Sequence, residues 1–110
     1  MDYSKMSDFE VNIKIAHIIL GKENYDWSSD KKEVYLAGID GGEFLPNGYF
    51  DPCNNPSDAW PIIESNGIGM RKQQNGLWCA TRIGGAYPIY DDKPLRAAMI
   101  VFLLMQEEKS

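Results

Sequence analysis

The sequence predicts a small α+β domain in layers, with about three helices packed on a small, mainly antiparallel sheet. Three observations carry this prediction: a striped helix that opens on a capping box, a hairpin signal at Asn75-Gly76, and an almost uncharged closing helix. The 110 residues suffice for a single domain, residues 1–110, whose core needs neither disulfides nor a metal.

The first helix is predicted to begin after Ser7, because Ser7-Asp8-Phe9-Glu10 is a capping box in which the serine and glutamate satisfy each other's free amides. An apolar stripe at helical spacing follows, and Gly21 supplies the stop. The stripe contains Phe9, Ile13, Ala16 and Leu20, widened by Val11, Ile15, Ile18 and Ile19. Residues 22–33 are polar and rich in turn-forming residues, which predicts an exposed loop.

The middle of the chain is predicted to be extended. Residues 34–39 have the composition of a strand, residues 40–42 that of a turn, and residues 43–45 that of a short extended piece. A hairpin is predicted from residues 68–71 and 77–83, because Asn75-Gly76 accepts the positive φ that a tight turn requires.

The second hairpin strand has two distinct faces, since successive side chains in a strand point in opposite directions. One face carries Trp78, Ala80 and Arg82, and the other carries Leu77, Cys79, Thr81 and Ile83. Residues 86–90 form a further extended segment, which their proline assigns to the edge of a sheet.

The closing helix is predicted to start at Asp92, with Pro94 tolerated in its first turn. Between Leu95 and Met105 only Arg96 is charged. A helix at the protein surface would show a polar face, so this one is either central to the core or also covered by another subunit of a homo-oligomer.

The segment 50–67, FDPCNNPSDAWPIIESNG, is predicted to bend the chain into a short helix. Asn54, Asn55 and Ser57 are all competent N-caps, and Asp58 falls in the first turn, where the helix dipole favours negative charge. An apolar face follows, and Asn66-Gly67 ends the helix. The face contains Trp60, Ile62 and Ile63. Pro61 should be accepted only within about the first turn.

Charge and composition exclude several classes of function. The net charge of -5 argues against nonspecific nucleic-acid binding, which requires excess Lys and Arg to displace phosphate counterions. Residues 1–60 carry 11 acids and 5 bases, whereas residues 61–110 carry 5 acids and 6 bases. The acidic first half suits a basic partner or a DNA-mimicking surface, and the alternative is a charged surface that serves only solubility. No apolar run is long enough to span a membrane, and we expect no signal peptide, because residues 1–6 show no basic start followed by an apolar run. The protein is therefore expected in the cytosol, where thiols are kept reduced, and Cys53 and Cys79 are expected to be reduced.

The sequence offers no complete catalytic or metal-binding set, so we expect no catalytic residue, no metal and no cofactor. His17 is the only histidine, and its position in the first helix indicates a surface or satisfied core residue. Asp26, Ser28 and Asp30 resemble part of a calcium loop, but Lys31 and Ala37 stand where such a loop needs glycine and a bidentate acid. The glycines at 38, 41 and 42 match no phosphate-binding loop.

What remains is an inventory for binding a small anionic or nucleotide-like ligand. Arg82 shares a strand face with Trp78, which could stack on a base, and Arg96 lies near a helix N-terminus, where free amides suit an anion. The predicted ligand-binding residues are Asn54, Asn55, Asp58, Trp60, Trp78, Arg82 and Arg96. The alternative is that both tryptophans belong to the core and that both arginines pair with Asp51, Asp58 or Asp91.

Three blocks of sequence resemble the NinX-like family of bacteriophage proteins, whose function is unassigned. They are DYSKMSDFEVN at 2–12, FDPCNNPSDAWPII at 50–63 and PLRAAMIVFLLMQ at 94–106. The helix after DAW, the strand with Trp78 and the closing helix with RAA are also loosely similar to the phage alpha-beta-alpha sandwich domain. The resemblance implies a phage accessory protein in the cytoplasm of the bacterial host and supplies no catalytic residues.

Two hypotheses for function follow from the residues and the resemblance together. The first is a non-enzymatic phage accessory protein that binds a small anionic or nucleotide-derived molecule, for example to sequester a host defence signal. The second is a protein that inhibits a host enzyme by direct contact through its acidic first half.

Overall fold

The computed structural model of the chain describes residues 2–36, 48–85 and 88–109. Within these ranges the helices are α1 (Asp8–Ile19), α2 (Pro56–Asn66) and α3 (Pro94–Lys109), preceded by a single 3-10 turn at Tyr3–Lys5. The strands are β1 (Tyr25–Ser28), β2 (Glu33–Leu36), β3 (Ile68–Lys72), β4 (Trp78–Arg82) and β5 (Ile89–Asp91). The α+β class is confirmed, with the strands divided between an antiparallel pair, β1-β2, and an antiparallel sheet of order β3-β4-β5.

Helix α1 begins as its capping box predicts. The Ser7 hydroxyl accepts a hydrogen bond from the Glu10 amide at 3.1 Å, and the Glu10 carboxylate accepts one from the Ser7 amide at 3.1 Å. Its most buried residues are Val11, Ile15 and Ala16, while Ile18 and Ile19 are 42% and 45% exposed. The prediction that the last two belong to the buried stripe is therefore wrong, because they are the final residues of α1 and their side chains remain open to solvent.

The predicted loop at residues 22–33 is wrong in part, because β1 lies within it. Tyr25 and Trp27 of β1 stand opposite Leu36 and Val34 of β2 in the antiparallel register. Two aromatic residues in alternate positions favour a strand, and their polar neighbours concealed that signal. The rest of the predicted strand, the turn at 40–42 and the extended piece at 43–45 lie outside the described residues.

The hairpin of β3 and β4 is confirmed. Its turn is closed by a hydrogen bond of 2.7 Å from the Gln73 amide to the Leu77 carbonyl, and Gly76 has the positive φ of 90° that the Asn-Gly signal predicted. β5 pairs with β4 on the side away from β3, so the described part of the sheet has β5 at an edge, as predicted from Pro88.

Helix α2 is capped as predicted but carries its second proline where it was not expected. The Asn55 side chain accepts a hydrogen bond from the Ser57 amide at 2.9 Å, and Gly67 ends the helix with a φ of 64°. Pro61 lies beyond the first turn, inside the helix, so the prediction that only the first turn would accept it is wrong. The ring is exposed, and the helix continues around one missing amide.

Pro61 should therefore reduce the stability of α2. We expect Pro61→Ala to raise the free energy of unfolding by about 1–3 kcal/mol, because alanine restores an amide donor and removes the steric conflict with the preceding turn. Urea denaturation followed by circular dichroism measures the change. Pro56→Ala is the matched control: Pro56 occupies the first turn, where proline is well tolerated, so no comparable gain is expected. A gain no larger than that of the control would contradict the prediction.

Helix α3 forms the centre of the molecule. It begins at Pro94 rather than at Asp92, and residues 97–103 are each at most 2% exposed. The three-stranded sheet packs on one side of α3, and α1 and α2 pack around the rest. Burial within one chain thus accounts for the apolar helix, and the homo-oligomer stays a prediction. Among the described residues, no helix is both long and apolar enough to cross a membrane.

Candidate functional site

Arg96, predicted to bind an anion, is instead the centre of a buried ionic network. The residue is 7% exposed, and its guanidinium donates to the Asp8 carboxylate at 2.8 Å and to the Asp91 carboxylate at 3.0 Å. Lys93 also donates to Asp8. Two carboxylates therefore compensate the charge of Arg96, which confirms the alternative pairing with Asp91 and adds Asp8, a partner that sequence analysis missed.

The same guanidinium ties the N-terminal segment to α3. Arg96 donates to the backbone carbonyls of Ser4, at 3.1 Å, and Met6. Burial opposes the ionisation of Asp8, but hydrogen bonds from Lys93, Asn54 and Arg96 outweigh it and hold the pKa of Asp8 below its ordinary value. For Arg96 likewise, the two carboxylates outweigh burial and raise the pKa of the guanidinium. Both groups stay charged, and the network acts as a structural clamp.

Asn54, Asn55 and Asp58 hold the entry to α2. The Asn54 amide donates to Asp8 and to Asp51, each at 3.1 Å, while Asn55 is the helix cap. Asp58 lies in the first turn of α2, as predicted, where it is half-buried and accepts a hydrogen bond from the Asp51 amide at 2.9 Å. These contacts, which stabilise the start of α2, are sufficient to account for asparagine and aspartate at the three positions. A role in ligand binding stays a prediction for all three.

Asn12 of α1 is hydrogen-bonded to the segment that precedes α2, which includes Cys53. The Asn12 side chain donates to Asp51 at 2.6 Å and accepts from the Cys53 amide at 3.1 Å. Burial, followed by the nearby charge of Asp8, raises the pKa of the Cys53 thiol to about 12, so this cysteine is a protonated core residue. Both cysteines are free, in agreement with the sequence prediction.

Trp60 lies on the outside of α2. Ala59, Ile62 and Ile63 are buried and define the face that packs inward, whereas Trp60 is 55% exposed. The prediction that Trp60 belongs to the apolar face is wrong, because helical geometry turns each residue about 100° from the one before it. Its exposure leaves the ring available for contact with another molecule.

Trp78 and Arg82 share a face of β4 with Ala80, as predicted, and Ala80 belongs to the core. The guanidinium of Arg82 lies 3.2 Å from the carboxylate of Glu108 near the end of α3, so the predicted partners Asp51, Asp58 and Asp91 are wrong for this arginine. The Lys72 ammonium lies 5.8 Å from the centroid of a Trp78 ring. The face that sequence analysis selected is therefore the one that meets α3.

The fold does not gather the predicted residues into one site. Asn54 and Asn55 line a cavity of about 310 Å³ beside Lys32 and Phe50, to which the other five predicted residues do not contribute. Sequence analysis missed a different concave surface. It lies on the face of the β3-β4-β5 sheet that points away from α3.

We name this surface the sheet groove. It has a volume of about 450 Å³ and is lined by Gly69, Met70, Arg71, Cys79, Thr81, Gly85, Pro88 and Tyr90. The strand register explains the lining, because Arg71 stands opposite Cys79 and Cys79 stands opposite Tyr90, in one row across the three strands. In the row two residues away, Gly69 stands opposite Thr81.

The side chains of the sheet groove are arranged by size. Arg71 and Tyr90 rise from the two outer strands, and Tyr90 is 56% exposed. Between these strands β4 contributes the small side chains of Cys79 and Thr81. Two residues before Arg71 on β3, Gly69 leaves open space where a Cβ atom would meet nothing within 4 Å. The result is a low floor between a cation and an aromatic ring.

The signal for this groove was present in the sequence. The predicted alternation along β4 already placed Cys79 and Thr81 on the face of the strand that does not carry Trp78. Pairing the edge segment with β4 would have added Tyr90 to that face. Within the described ranges, no three His, Cys, Asp or Glu side chains approach closely enough to hold a metal ion. The groove is therefore a candidate for hydrogen bonding, ion pairing and ring stacking.

Comparison with known proteins decides the family. A profile of the family described as "Bacteriophage P22, NinX" matches residues 2–106. The chain belongs to the phage P22 NinX family. The matched residues include all three sequence blocks that carried the resemblance, which is thereby confirmed.

A solved structure shares the fold of this NinX-family protein. A phage protein from Bacillus cereus ATCC 14579 superposes with a TM-score of 0.60 at 19% sequence identity, covering 94% of this chain and 95% of that chain. At this identity the likeness establishes a common architecture only. No curated protein matches the chain.

Proposed function

We propose that this NinX-family protein is a non-enzymatic phage accessory protein that binds a small anionic, nucleotide-derived molecule in the sheet groove. The observation that carries the proposal is the row of Arg71, Cys79 and Tyr90, which sets a cation and an exposed ring on either side of a low floor. Binding such a molecule would allow the protein to sequester a host defence signal in the bacterial cytoplasm.

Arg71 supports an anionic ligand. Its side chain is exposed, and among the described residues no carboxylate forms an ion pair with it, in contrast to Arg82 and Arg96. A guanidinium presents several N–H donors in a planar fork that matches phosphate or carboxylate oxygens. The charge distribution agrees, since the groove belongs to residues 61–110, which carry 5 acids and 6 bases.

Tyr90 supports a planar group in the ligand. An exposed tyrosine ring offers a stacking surface for a base, and such stacking is worth about 1–3 kcal/mol. Two strand spacings, roughly 10 Å, separate the backbones of Arg71 and Tyr90. The small residues between them allow a ligand to lie against the sheet, with the Thr81 hydroxyl within the lining as a donor or acceptor.

The lining favours binding over catalysis. As described, the sheet groove contains no carboxylate and no imidazole, the side chains that most often transfer protons in enzymes. Its one thiol, Cys79, lies in the floor without a histidine in the described lining to activate it.

Substitution of Arg71 tests the proposal directly. We expect Arg71→Met to weaken binding of the anionic ligand by about tenfold to a hundredfold, because a charge-assisted hydrogen bond contributes about 1.5–3 kcal/mol. Calorimetry with mononucleotides, cyclic dinucleotides and ADP-ribose would measure the change against the unmodified protein.

Arg82→Met is the matched control for this experiment, because Arg82 lies on the other sheet face and pairs with Glu108. We expect this variant to bind as the unmodified protein does. If Arg82→Met weakens binding and Arg71→Met does not, the site first predicted from the sequence is correct and the sheet groove is not the site. If none of the nucleotides produces heat, the proposal loses its support.

The second hypothesis, inhibition of a host enzyme through an acidic surface, receives less support from the charge distribution. In the β1-β2 region, the exposed acids Asp26 and Asp30 are followed by the exposed bases Lys31 and Lys32, so this hairpin presents both signs of charge. Purification from infected or expressing bacteria distinguishes the two hypotheses. A host protein in stoichiometric amount would favour inhibition, and a small molecule released on denaturation would favour sequestration.

A further inference from the structure

A second concave surface lies between α1 and α3, on the side of α3 that does not face the sheet. It has a volume of about 400 Å³, within the range of sites that enclose small molecules. Its lining includes Tyr3, Ile13, Lys14, Ile18, Tyr25 and Leu103. We name it the helix groove.

The walls of the helix groove are mostly apolar. Ile13 and Leu103 come from the facing helices, and the rings of Tyr3 and Tyr25 border the same cavity. Ile18, which is 42% exposed, leaves part of its apolar surface open to a ligand. A concave apolar surface with aromatic sides and a few polar groups is the usual composition of a small-molecule site.

The polar groups of the helix groove are distributed unevenly. On α1 they are the half-buried Lys14 and the exposed His17, whose Nδ1 lies 3.3 Å from the Tyr25 hydroxyl. On α3 the carboxylate of Glu107 accepts a hydrogen bond from the Tyr3 hydroxyl; burial first, and this bond second, raise the pKa of Tyr3. The helix groove thus has a carboxylate on its α3 wall, which accepts from Tyr3, and an ammonium, that of Lys14, on its α1 wall.

Lys14 is placed to receive a negative charge from a ligand. A lysine side chain lays its methylene stem along apolar surface and keeps its ammonium at the water boundary. Glu10, one turn earlier on α1, interacts with Lys14 through charge but is fully exposed and already bonded to the Ser7 amide and hydroxyl. An anionic group at the mouth of the groove would attract the ammonium in a partly buried setting, where water screens charge less than at the open surface.

We infer that the helix groove is a second binding site, for a small carboxylic acid with an aromatic or branched aliphatic body. The body lies between Ile13, Ile18 and Leu103, and the carboxylate pairs with the ammonium of Lys14. This site is independent of the proposed function, because the sheet and α3 separate the helix groove from the sheet groove.

A matched set of three probes tests the chemistry: 3-phenylpropionate, 3-phenylpropan-1-ol and 3-phenylpropylamine. Titrations of the isotope-labelled full chain, followed by amide chemical shifts, should give the tightest dissociation constant for the carboxylate, with shifts concentrated in α1 and α3. Lys14→Met retains the stem and removes the charge. This variant should weaken binding of the carboxylate at least about tenfold and leave binding of the alcohol unchanged. Tighter binding of the amine, an unaffected carboxylate in Lys14→Met, or no binding at all would overturn the inference.

Two neighbouring isoleucines provide the positional control. Ile18→Asp places a like charge in the lining of the groove, whereas Ile19→Asp places it on an equally exposed part of α1 that does not line the groove. Only Ile18→Asp should weaken binding of the carboxylate. Equal effects of the two variants would show that the site is not in the helix groove. Arg71→Met should bind 3-phenylpropionate as the unmodified protein does. A loss in that variant would show that the acid occupies the sheet groove instead.

Discussion

Arg96→Met is expected to lower the free energy of unfolding by about 3–5 kcal/mol, the largest loss of stability that a single conservative change in this protein should produce. Methionine keeps the apolar length of the side chain but removes every donor. Asp91 would lose its ion pair, Asp8 would keep only its pair with Lys93, and the carbonyls of Ser4 and Met6 would lose a buried donor. Urea denaturation followed by circular dichroism and tryptophan fluorescence measures the loss.

Two further variants separate the clamp from a general effect of removing an arginine. Arg82→Met breaks a pair whose side chains are 41% and 57% exposed, so it should cost less than about 1 kcal/mol. Arg96→Lys keeps the charge but replaces the planar fork by a single ammonium, so it should fall between the two methionine variants. Equal losses in Arg96→Met and Arg82→Met would show that the buried network contributes no more than a surface pair.

Because of the same network, the free energy of unfolding depends on pH in the acid range. Because the pKa of Asp8 in the folded protein is below its ordinary value of 3.8, the unfolded chain binds the proton more readily. The contribution of Asp8 is therefore complete above that ordinary value and is lost as the pH falls through and below it. In Arg96→Met one of the groups that lower this pKa is absent, so the unfolding free energy should decrease less steeply below pH 3.8 than it does in the unmodified protein.

Those parts of the fold that depend on neighbouring residues could be predicted from the sequence. The capping box at Ser7, the Asn-Gly turn and the Asn55 cap each act within a few residues, and each is present. The errors arose where local preference conflicted with packing. Polar neighbours concealed β1, and Pro61 is retained inside α2 because the buried face of that helix offsets the cost of the missing amide.

The candidate sites were harder to predict, because their residues meet only through the tertiary fold. Arg96 was recognised as a special residue, but its partner Asp8 is 88 positions away along the chain, and no local pattern connects them. At β4 the alternation of faces was predicted correctly. The error was to favour the face with the largest residues, whereas an open groove requires small ones such as Thr81 and Gly69. Large aromatic residues on a strand indicate packing as readily as they indicate binding.

Gly69→Val should eliminate most binding in the sheet groove. A Cβ atom at Gly69, the residue of the lining that stands opposite Thr81, would project into open space, and the two methyl groups of valine would occupy part of the surface on which the ligand is proposed to lie. A steric conflict of about 3 kcal/mol would weaken nucleotide binding by about a hundredfold, as measured by calorimetry. Gly69→Ala, which adds only one methyl group, should give an intermediate loss.

The stability of Gly69→Val provides the internal control. Gly69 lies within β3, its substituent would meet no protein atom within 4 Å, and glycine in a strand is less stable than a β-branched residue. The variant should therefore be at least as stable to urea as the unmodified protein while it binds far more weakly. Unchanged binding in Gly69→Val, together with weakened binding in Arg71→Met, would place the ligand at the rim of the groove and not on its floor. A more stable protein that has lost its ligand has not misfolded, so this pair of measurements separates the site from the fold that carries it.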